Sequence, residues 1–462
     1  MKDLYQILLI KIISIIFISI LLTIRRDGYF PLKSDTNDLL MIIISSIHIV
    51  VIGFLTLIFL KPNLLINKFK VKPLNFKIDS RYILIFFVLI SLVITFVIYC
   101  KDYLVYKELY SFNILFVSSL FLISSILISI PIVLKRPKLA IFGIIVGSTL
   151  ISLVPIIFFP ITSKIGDLMP ILYKQAEALM NNQNIYQYYL LDNGVLTQAV
   201  RQPGTVIAYL PAYIFQFDLR IMSILYTVLT AFIFIKISYK KIREIKFNKK
   251  WVLFFLGLGI FLLSPYRLSR LDIYEPPFWF LLSLSMYLLI NKKMYKFSII
   301  WAIGIFTQVW FWLFTPFIGV YLLKNFKVRF VFKYTSVILL LTCILLVPFI
   351  LQDLSSYKEH VFGFYKTVID IGHYNNFSFY LTPWFIKLGI GHLLNIVQIL
   401  IVGLIGILAL KKIHSIQSLM GYLTIIFFFF IQFNSLTWNY MYLNLIVLLL
   451  IYFFYKLEQL DT

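Results

Sequence analysis

Charged residues are scarce in this sequence, and acidic residues are the scarcest. Only 13% of the 462 residues are Asp, Glu, Lys or Arg, whereas 61% are hydrophobic and the mean hydropathy is +0.94. A soluble chain of this length does not need so much apolar surface, but a bilayer requires repeated apolar runs of roughly 17–25 residues. The composition therefore excludes an ordinary soluble protein and predicts an all-α, polytopic helical membrane protein.

Cysteine is also rare, and so are the patterns that hold metals or nucleotides. Cys100 and Cys343 fall in or at the edge of predicted spans, which argues against a disulfide framework. The His, Asp and Glu residues do not occur at metal-ligand spacing, and the sequence has no Gly-rich nucleotide-binding loop. We therefore expect no metal, no bound cofactor and no soluble nucleotide donor.

Apolar runs predict about 14 spans. Residues 1–24 lack a small-residue cleavage site, so this segment is predicted to be the first span and not a signal peptide. We expect three regions: a four-span N-terminal extension (1–135), a central module (136–333) and a C-terminal transmembrane region (334–462). The spans are placed near residues 8–23, 39–60, 82–100, 112–134, 139–160, 219–237, 251–264, 276–290, 297–308, 312–323, 334–351, 391–410, 418–433 and 440–455.

The 42 Lys and Arg residues are divided unequally between the alternate loops that these spans define. The loops and termini of one side hold 28 of them with five acidic residues, and the other side holds 14 of each kind. By the positive-inside rule, both termini are cytoplasmic and the outer loops are 161–217, 265–275, 352–390 and 434–442. Membrane topology thus explains the net charge of +23 without nucleic acid and predicts a multi-pass protein of the cytoplasmic membrane.

The loop 161–217 is too long to serve only as a connector. Within it, apolar residues recur at one-face helical spacing over 168–182, which predicts a helix that lies on the membrane surface. Pro203-Gly204 then breaks the chain, and Pro211 begins an apolar return to the bilayer. The predicted apolar face consists of Leu168, Leu172, Ala176, Leu179 and Met180, with Lys174, Gln175 and Glu177 elsewhere.

Asp167, just past a membrane exit, is the candidate catalytic residue. A partly desolvated carboxylate at a membrane surface can act as a general base. The alternative is that Asp167 caps the surface helix, since Pro170 follows within the first turn. The two roles are compatible.

A second acidic pair, Asp272 and Glu275, precedes Pro276-Pro277. We expect Glu275 to cap the helix that the prolines begin. An arginine guanidinium can form two parallel hydrogen bonds to phosphate oxygens. An arginine at the end of a span can also extend its charged group to the membrane interface without a functional role. The outer-side candidates for a phosphate contact are Arg201, Arg267, Arg270, His360 and His373.

The stretch GDLMPILYKQAEALMNNQNIYQYY resembles the first outer loop of GT-C superfamily glycosyltransferases, especially the polyprenyl-phosphate-mannose-dependent mannosyltransferases. The matching features are Asp167, Tyr173, Ala176, the turn Asn184-Ile185-Tyr186 and the re-entry RQPGTVIAYLPAY. The re-entry departs from the family's Tyr-Pro-Pro because Arg201-Gln202-Pro203 stands here.

Later segments add to the resemblance, which covers roughly residues 139–455. SPYRLSRLDIYEPP is similar to the family's second outer loop, and Asp272 matches its acidic residue. IGIFTQVWFWLFTPFIGVYLL resembles a pair of short helices, with Gln308 where many members have Lys and with Pro316 kept. NNFSFY at 375–380 is similar to a late outer-loop motif.

The resemblance implies transfer of a hexose such as mannose from a polyprenyl-phosphate sugar to a lipid or glycan acceptor, with inversion. Asp167 would take the acceptor's proton, and basic residues would stabilise the leaving phosphate. The implied substrate-binding residues are Arg201, Arg267, Arg270, Asp272, Tyr173, Tyr186, His360, His373 and Gln308.

Two other function classes stay open. A polysaccharide or lipid transporter or flippase is disfavoured because the predicted spans hold almost no ionisable residue away from their ends. An O-antigen-type polymerase or ligase also uses a long outer loop, but usually late in the chain, whereas 161–217 comes early.

Overall fold

The computed structural model describes residues 2–24, 38–62, 80–105, 113–163, 166–194, 196–199, 201–242, 249–268, 273–363, 381–434 and 439–459. The chain begins with five long helices. They are α1 (Lys2–Ile24), α2 (Asp38–Leu60), α3 (Ser80–Val105), α4 (Ile114–Val133) and α5 (Pro137–Phe158).

A short surface segment follows, made of α6 (Leu168–Met180), β1 (Tyr188–Leu190), β2 (Leu196–Gln198) and α7 (Pro203–Ile214). The two strands form one antiparallel pair in which Leu190 lies opposite Leu196. We call residues 166–219, without 195 and 200, the surface module.

The remaining chain is again helical. Its elements are α8 (Leu219–Ile242), α9 (Lys249–Leu263), α10 (Pro265–Leu268), α11 (Pro276–Ile290), α12 (Met294–Thr307), α13 (Trp310–Asn325), α14 (Val328–Gln352), α15 (Leu354–Lys358), a π-helical turn (Glu359–Gly363), α16 (Thr382–Lys387), a 3₁₀ turn (Gly391–Leu393), α17 (Leu394–Lys412), α18 (Ile416–Gln432), a second 3₁₀ turn (Asn439–Met441) and α19 (Tyr442–Glu458).

The prediction of an all-α membrane protein is confirmed at the level of helix length and composition. Within the described ranges, nine helical segments are long and apolar enough to cross a membrane: Gln6–Thr23, Ile43–Leu60, Arg81–Val105, Ile114–Val133, Pro137–Phe158, Leu219–Ser238, Lys250–Leu268, Val328–Gln352 and Gly391–Lys412. Three shorter apolar helices cover Pro276–Ile290, Met294–Thr307 and Ile416–Gln432. The count of 14 spans and their orientation stay predictions.

The helix α9 lies at the centre of the bundle. Residues 251–268, which comprise most of α9 and all of α10, are entirely buried inside the protein, and α9 packs against α1, α3, α5, α8 and α19. Gly257 allows this packing because an added Cβ would lie 3.0 Å from the rings of Phe453 and Phe454 of α19. The N-terminal helices join the same core, where the hydroxyls of Ser19 and Ser264 lie 2.8 Å apart.

Small residues bring α4 and α5 into close contact. Gly143 and Gly147 are spaced four residues apart on α5, and a Cβ on Gly143 would overlap the Leu127 carbonyl of α4. The hydroxyl of Ser124 donates to the Gly147 carbonyl over 3.1 Å. Such small-residue spacing lets helix backbones approach in a bilayer, where dispersion contacts and hydrogen bonds drive association.

Candidate functional site

The surface module is built on two antiparallel helices, α6 and α7. Near one end, the rings of Tyr173 and Tyr213 pack edge to face with centroids 5.0 Å apart. Near the other end, Tyr186 follows α6 and packs on Tyr357, whose hydroxyl donates over 3.2 Å to Gln202, directly before α7. We call the first the Tyr213 end of the surface module and the second the Gln202 end.

The helix α6 covers residues that the sequence predicts to be helical, but its buried face is shifted. Leu172 and Ala176 are buried as predicted, whereas Met180 is exposed. Gln175, which the sequence places off the apolar face, is fully buried, and its amide reaches the Ile185 carbonyl at 3.5 Å. The face was mispredicted because the chain after Met180 folds back over Gln175, which gives this polar side chain a partner that helical periodicity does not reveal.

Asp167 lies at the Tyr213 end, directly before α6. Its backbone carbonyl accepts the hydrogen bond from the Ile171 amide at 2.9 Å, which fixes the start of the helix. Its side chain is exposed, and among the described residues it makes no capping hydrogen bond. The helix thus begins at Asp167 without using its carboxylate.

A cavity of about 550 Å³ opens on the face of α6 that carries Pro170 and Lys174, and we call it the α6 pocket. Four segments of the chain form it: residues 161–162 after α5, one face of α6, the end of β1 with the turn that follows it, and the junction of α7 and α8. Pro170 and Lys174 lie three and seven residues after Asp167, so the helical repeat places all three on one face of α6. The lining residues are Ile161, Thr162, Pro170, Tyr173, Lys174, Leu190, Leu191, Asp192, Gln216, Phe217, Asp218 and Leu219.

Hydrogen bonds fix both carboxylates of the α6 pocket. Asp192 accepts from the Thr162 hydroxyl at 2.6 Å and from the amide and hydroxyl of Ser163, and these bonds lower its pKa to about 2. Asp218 accepts from Arg220 through Nε to Oδ1 at 2.9 Å and through a terminal nitrogen to Oδ2 at 2.6 Å. Lys174, the basic residue of the lining, pairs with Glu177 at 3.1 Å.

The Gln202 end holds His360. Its Nδ1 lies 3.0 Å from the Ala199 carbonyl, and its ring packs against Tyr188 at 5.2 Å. His360 is buried, and desolvation lowers its pKa, which favours the neutral imidazole. The lowered pKa disfavours the imidazolium charge that a phosphate contact would use.

A polar cluster is buried where α11, α12 and α19 meet. The Glu275 carboxylate is fully buried and accepts through Oε2 from Gln308 at 3.3 Å and from Asn444 at 3.1 Å. Asn444 in turn accepts from the Trp279 indole at 2.6 Å. Glu275 occupies the N-cap position of α11 as predicted, but its side chain makes no capping hydrogen bond and is committed to the buried cluster instead.

Burial raises the pKa of Glu275 to about 7, against the opposing effects of the Asn444 amide and the Arg201 charge. The Arg201 guanidinium lies over the ring of Tyr274, 3.6 Å from its centroid, next to this carboxylate. Oε1 of Glu275 has no hydrogen-bond partner within the described part of the chain. A carboxylate so enclosed exchanges a proton near neutral pH.

The structure separates the predicted site residues into two groups. Asp167 and Tyr173 lie at the Tyr213 end, whereas Tyr186, Arg201 and His360 lie at the Gln202 end. The 12 residues of α7 between the two ends span about 18 Å at ~1.5 Å per residue. Asp167 and Arg201 are therefore not brought together.

The other predicted residues fall elsewhere. Gln308 lies between α12 and α13 and contacts Glu275. Arg267 of α10 is buried and donates to the Leu262 carbonyl of α9, which favours a structural position over a phosphate contact. Arg270, Asp272 and His373 lie outside the described residues.

From the sequence, Glu275 is interpreted as a helix cap, and neither Asn444 nor Asp192 is identified as a site residue. An asparagine inside an apolar helix was the available signal for Asn444, since a buried amide needs partners. Within the described ranges, no group of three or more His, Cys, Asp or Glu residues could hold a metal ion.

Comparison with known proteins returns no relative: no family model, curated protein or solved structure matches this chain. The function is therefore argued from the residues and their geometry.

Proposed function

We propose that this chain is an integral-membrane glycosyltransferase that moves a hexose from a polyprenyl-phosphate sugar to a lipid or glycan acceptor at the extracytoplasmic face. The observation that carries the proposal is the position of Asp167. Its carboxylate is exposed, makes no capping hydrogen bond within the described part of the chain, and shares a helix face with the lining of the α6 pocket. A carboxylate needed only as a cap would bond to the first turn of α6.

In this reaction an acceptor hydroxyl donates its proton to Asp167 while its oxygen attacks the anomeric carbon. The bond from that carbon to the phosphate oxygen breaks, and polyprenyl phosphate leaves with the bonding electron pair. Attack opposite the leaving group inverts the anomeric centre. Arg201 lies at the Gln202 end, so the proposal gives it no contact with the hydroxyl that Asp167 deprotonates.

The test is sugar transfer by the full chain in lipid nanodiscs with a panel of polyprenyl-phosphate sugars. Asp167→Asn keeps the size of the side chain but removes its basicity, and we expect transfer to fall by about 10²-fold or more. Asp167→Glu is the matched control, because it keeps a carboxylate base at the same position and should retain more transfer than Asp167→Asn. Transfer by Asp167→Asn at the wild-type rate would refute the proposed base.

A second candidate is a polysaccharide or lipid transporter coupled to protons, and buried Glu275 is the observation that favours it. Membrane carriers use enclosed carboxylates that titrate near neutral pH as proton sites. Transport of a fluorescent polyprenyl-phosphate sugar across proteoliposomes under a pH gradient distinguishes the two. Gradient-driven transport that Glu275→Gln abolishes, without any transfer on the donor panel, would establish the carrier.

A further inference from the structure

The α6 pocket has the chemical features of a carbohydrate site. Ligand pockets typically enclose roughly 300–1,000 Å³ with mostly apolar walls and a few placed polar groups. Here the volume is about 550 Å³, and the buried Leu191 and Leu219 supply apolar wall. The cavity is therefore large enough for one or two sugar rings.

Tyr173 supplies an aromatic wall to this pocket. The edge-to-face contact with Tyr213 fixes its ring, and 48% of the residue is still exposed. Phe217 adds a second ring to the lining. A pyranose presents one face of C–H groups that packs on such a ring, while its hydroxyls point to the rim, so an exposed and fixed tyrosine suits a sugar.

The polar rim suits hydroxyl groups better than anions. Asp192 is ionised, and its Oδ2 accepts one described hydrogen bond, from Thr162, although a carboxylate oxygen can accept two. The charge of Asp218 is balanced by Arg220, so Asp218 adds carboxylate acceptors, and Gln216 adds an amide. Lys174 is likewise paired with Glu177, which leaves Asp192 as the charged group of the described lining without a counter-ion. An anionic acceptor group favours the hydroxyls of a neutral sugar over a phosphate.

We propose that the α6 pocket binds the neutral, hydroxyl-rich end of a glycan, which on the proposed function is the acceptor. The glycan's apolar ring face packs on Tyr173, and its hydroxyls donate to Asp192. Asp167 lies about one turn before Pro170 on the same face of α6. A glycan hydroxyl at that edge of the pocket is therefore directed toward the proposed base. The acceptor is then a sugar chain and not a bare lipid.

The experiment is ligand-observed NMR on the full chain in nanodiscs, without donor, using mannobiose, cellobiose and maltose, with mannose 6-phosphate as the anionic probe. At least one neutral disaccharide should bind with a dissociation constant of roughly 1–10 mM, and the phosphate at least tenfold more weakly. Tyr173→Ala should weaken disaccharide binding by about tenfold, and Tyr173→Phe should preserve it. Tyr188→Ala, which removes another exposed tyrosine of the surface module, is the matched control.

Tyr173→Leu keeps apolar bulk if the alanine variant does not fold, and it should show the same loss of binding. The absence of binding by all three disaccharides, unchanged affinity in Tyr173→Leu, or stronger binding of mannose 6-phosphate would each overturn the inference. Because no donor is present, sugar binding without transfer would count against the proposed function alone. Transfer without sugar binding would count against the pocket alone.

Discussion

The amide of Asn444 donates to the carboxylate of Glu275 over 3.1 Å, although 169 residues separate them in the chain. Gln308, between α12 and α13, donates to the same oxygen. One buried carboxylate therefore connects three helices, and both its charge and its partners should affect the stability of the fold.

Glu275 should make the protein less stable as the pH rises from about 5 to about 7. Its folded pKa of about 7 lies above its ordinary value of 4.5, so the folded state binds the extra proton in that window and unfolding is favoured as the proton is lost. The full effect is on the order of 3 kcal/mol at 1.36 kcal/mol per pH unit. Thermal unfolding in nanodiscs at pH 5 and pH 8 measures it.

Glu275→Gln should flatten this pH dependence, because the amide does not titrate. Equal pH dependence in wild type and Glu275→Gln would show that Glu275 titrates normally in the folded state.

Asn444→Leu should destabilise the protein by about 1–3 kcal/mol, because it leaves the Trp279 indole and Oε2 of Glu275 each with one bond fewer inside the core. The measurement is a double-mutant cycle with Trp279→Phe, read by chemical unfolding. Coupling between the two sites is expected, since both changes remove the same hydrogen bond. Strict additivity would mean that this bond contributes nothing. Asn291→Leu, at an exposed helix end, is the control.

Gly204→Ala should separate α7 from α12. A Cβ there would lie 2.7 Å from Phe306 Cδ1 and 2.8 Å from the Phe306 carbonyl, and that backbone group does not move easily. We expect a loss of about 1–3 kcal/mol in unfolding free energy. Gly319→Ala on α13 is the matched control, because no described atom lies within 4 Å of its Cβ. It should leave stability unchanged or raise it by up to about 1 kcal/mol.

Gly143→Leu should disrupt the α4–α5 pair, since even a methyl group at this position meets the Leu127 carbonyl. A cysteine pair on the two helices would report the loss as slower disulfide crosslinking in the membrane. Gly403→Leu on α17 is the control, because its Cβ meets no described atom within 4 Å. Equal crosslinking in the Gly143 variant and wild type would rule out the close contact.

Local signals in the sequence identified local structure. The helix over Leu168–Met180 and the break between Thr307 and Trp310 were predictable, because helical periodicity and breaks in apolar runs act within a few residues. The role of Glu275 was not predictable, because Asn444 lies far along the chain, and a carboxylate before Pro-Pro is most simply explained as a cap.

The relation between Asp167 and Arg201 depends on packing and not on a motif. Both residues belong to one predicted loop, where Asp167 is the candidate base and Arg201 is a candidate phosphate contact. The antiparallel arrangement of α6 and α7 nevertheless sends them to opposite ends of a helix about 18 Å long. A sequence pattern gives the residues of a site but not the direction in which two short helices run.

The full enclosure of α9 constrains how the protein is assembled. A newly inserted helix first meets lipid, yet residues 251–268 are all buried inside the finished fold. One of the helices that pack on α9 is α19, the last helix of the described chain, whose Phe453 and Phe454 pack on Gly257. The central helix is therefore fully enclosed only after α19 has been synthesised. A chain that stops before Tyr442 leaves its core helix open to lipid and to quality-control proteases.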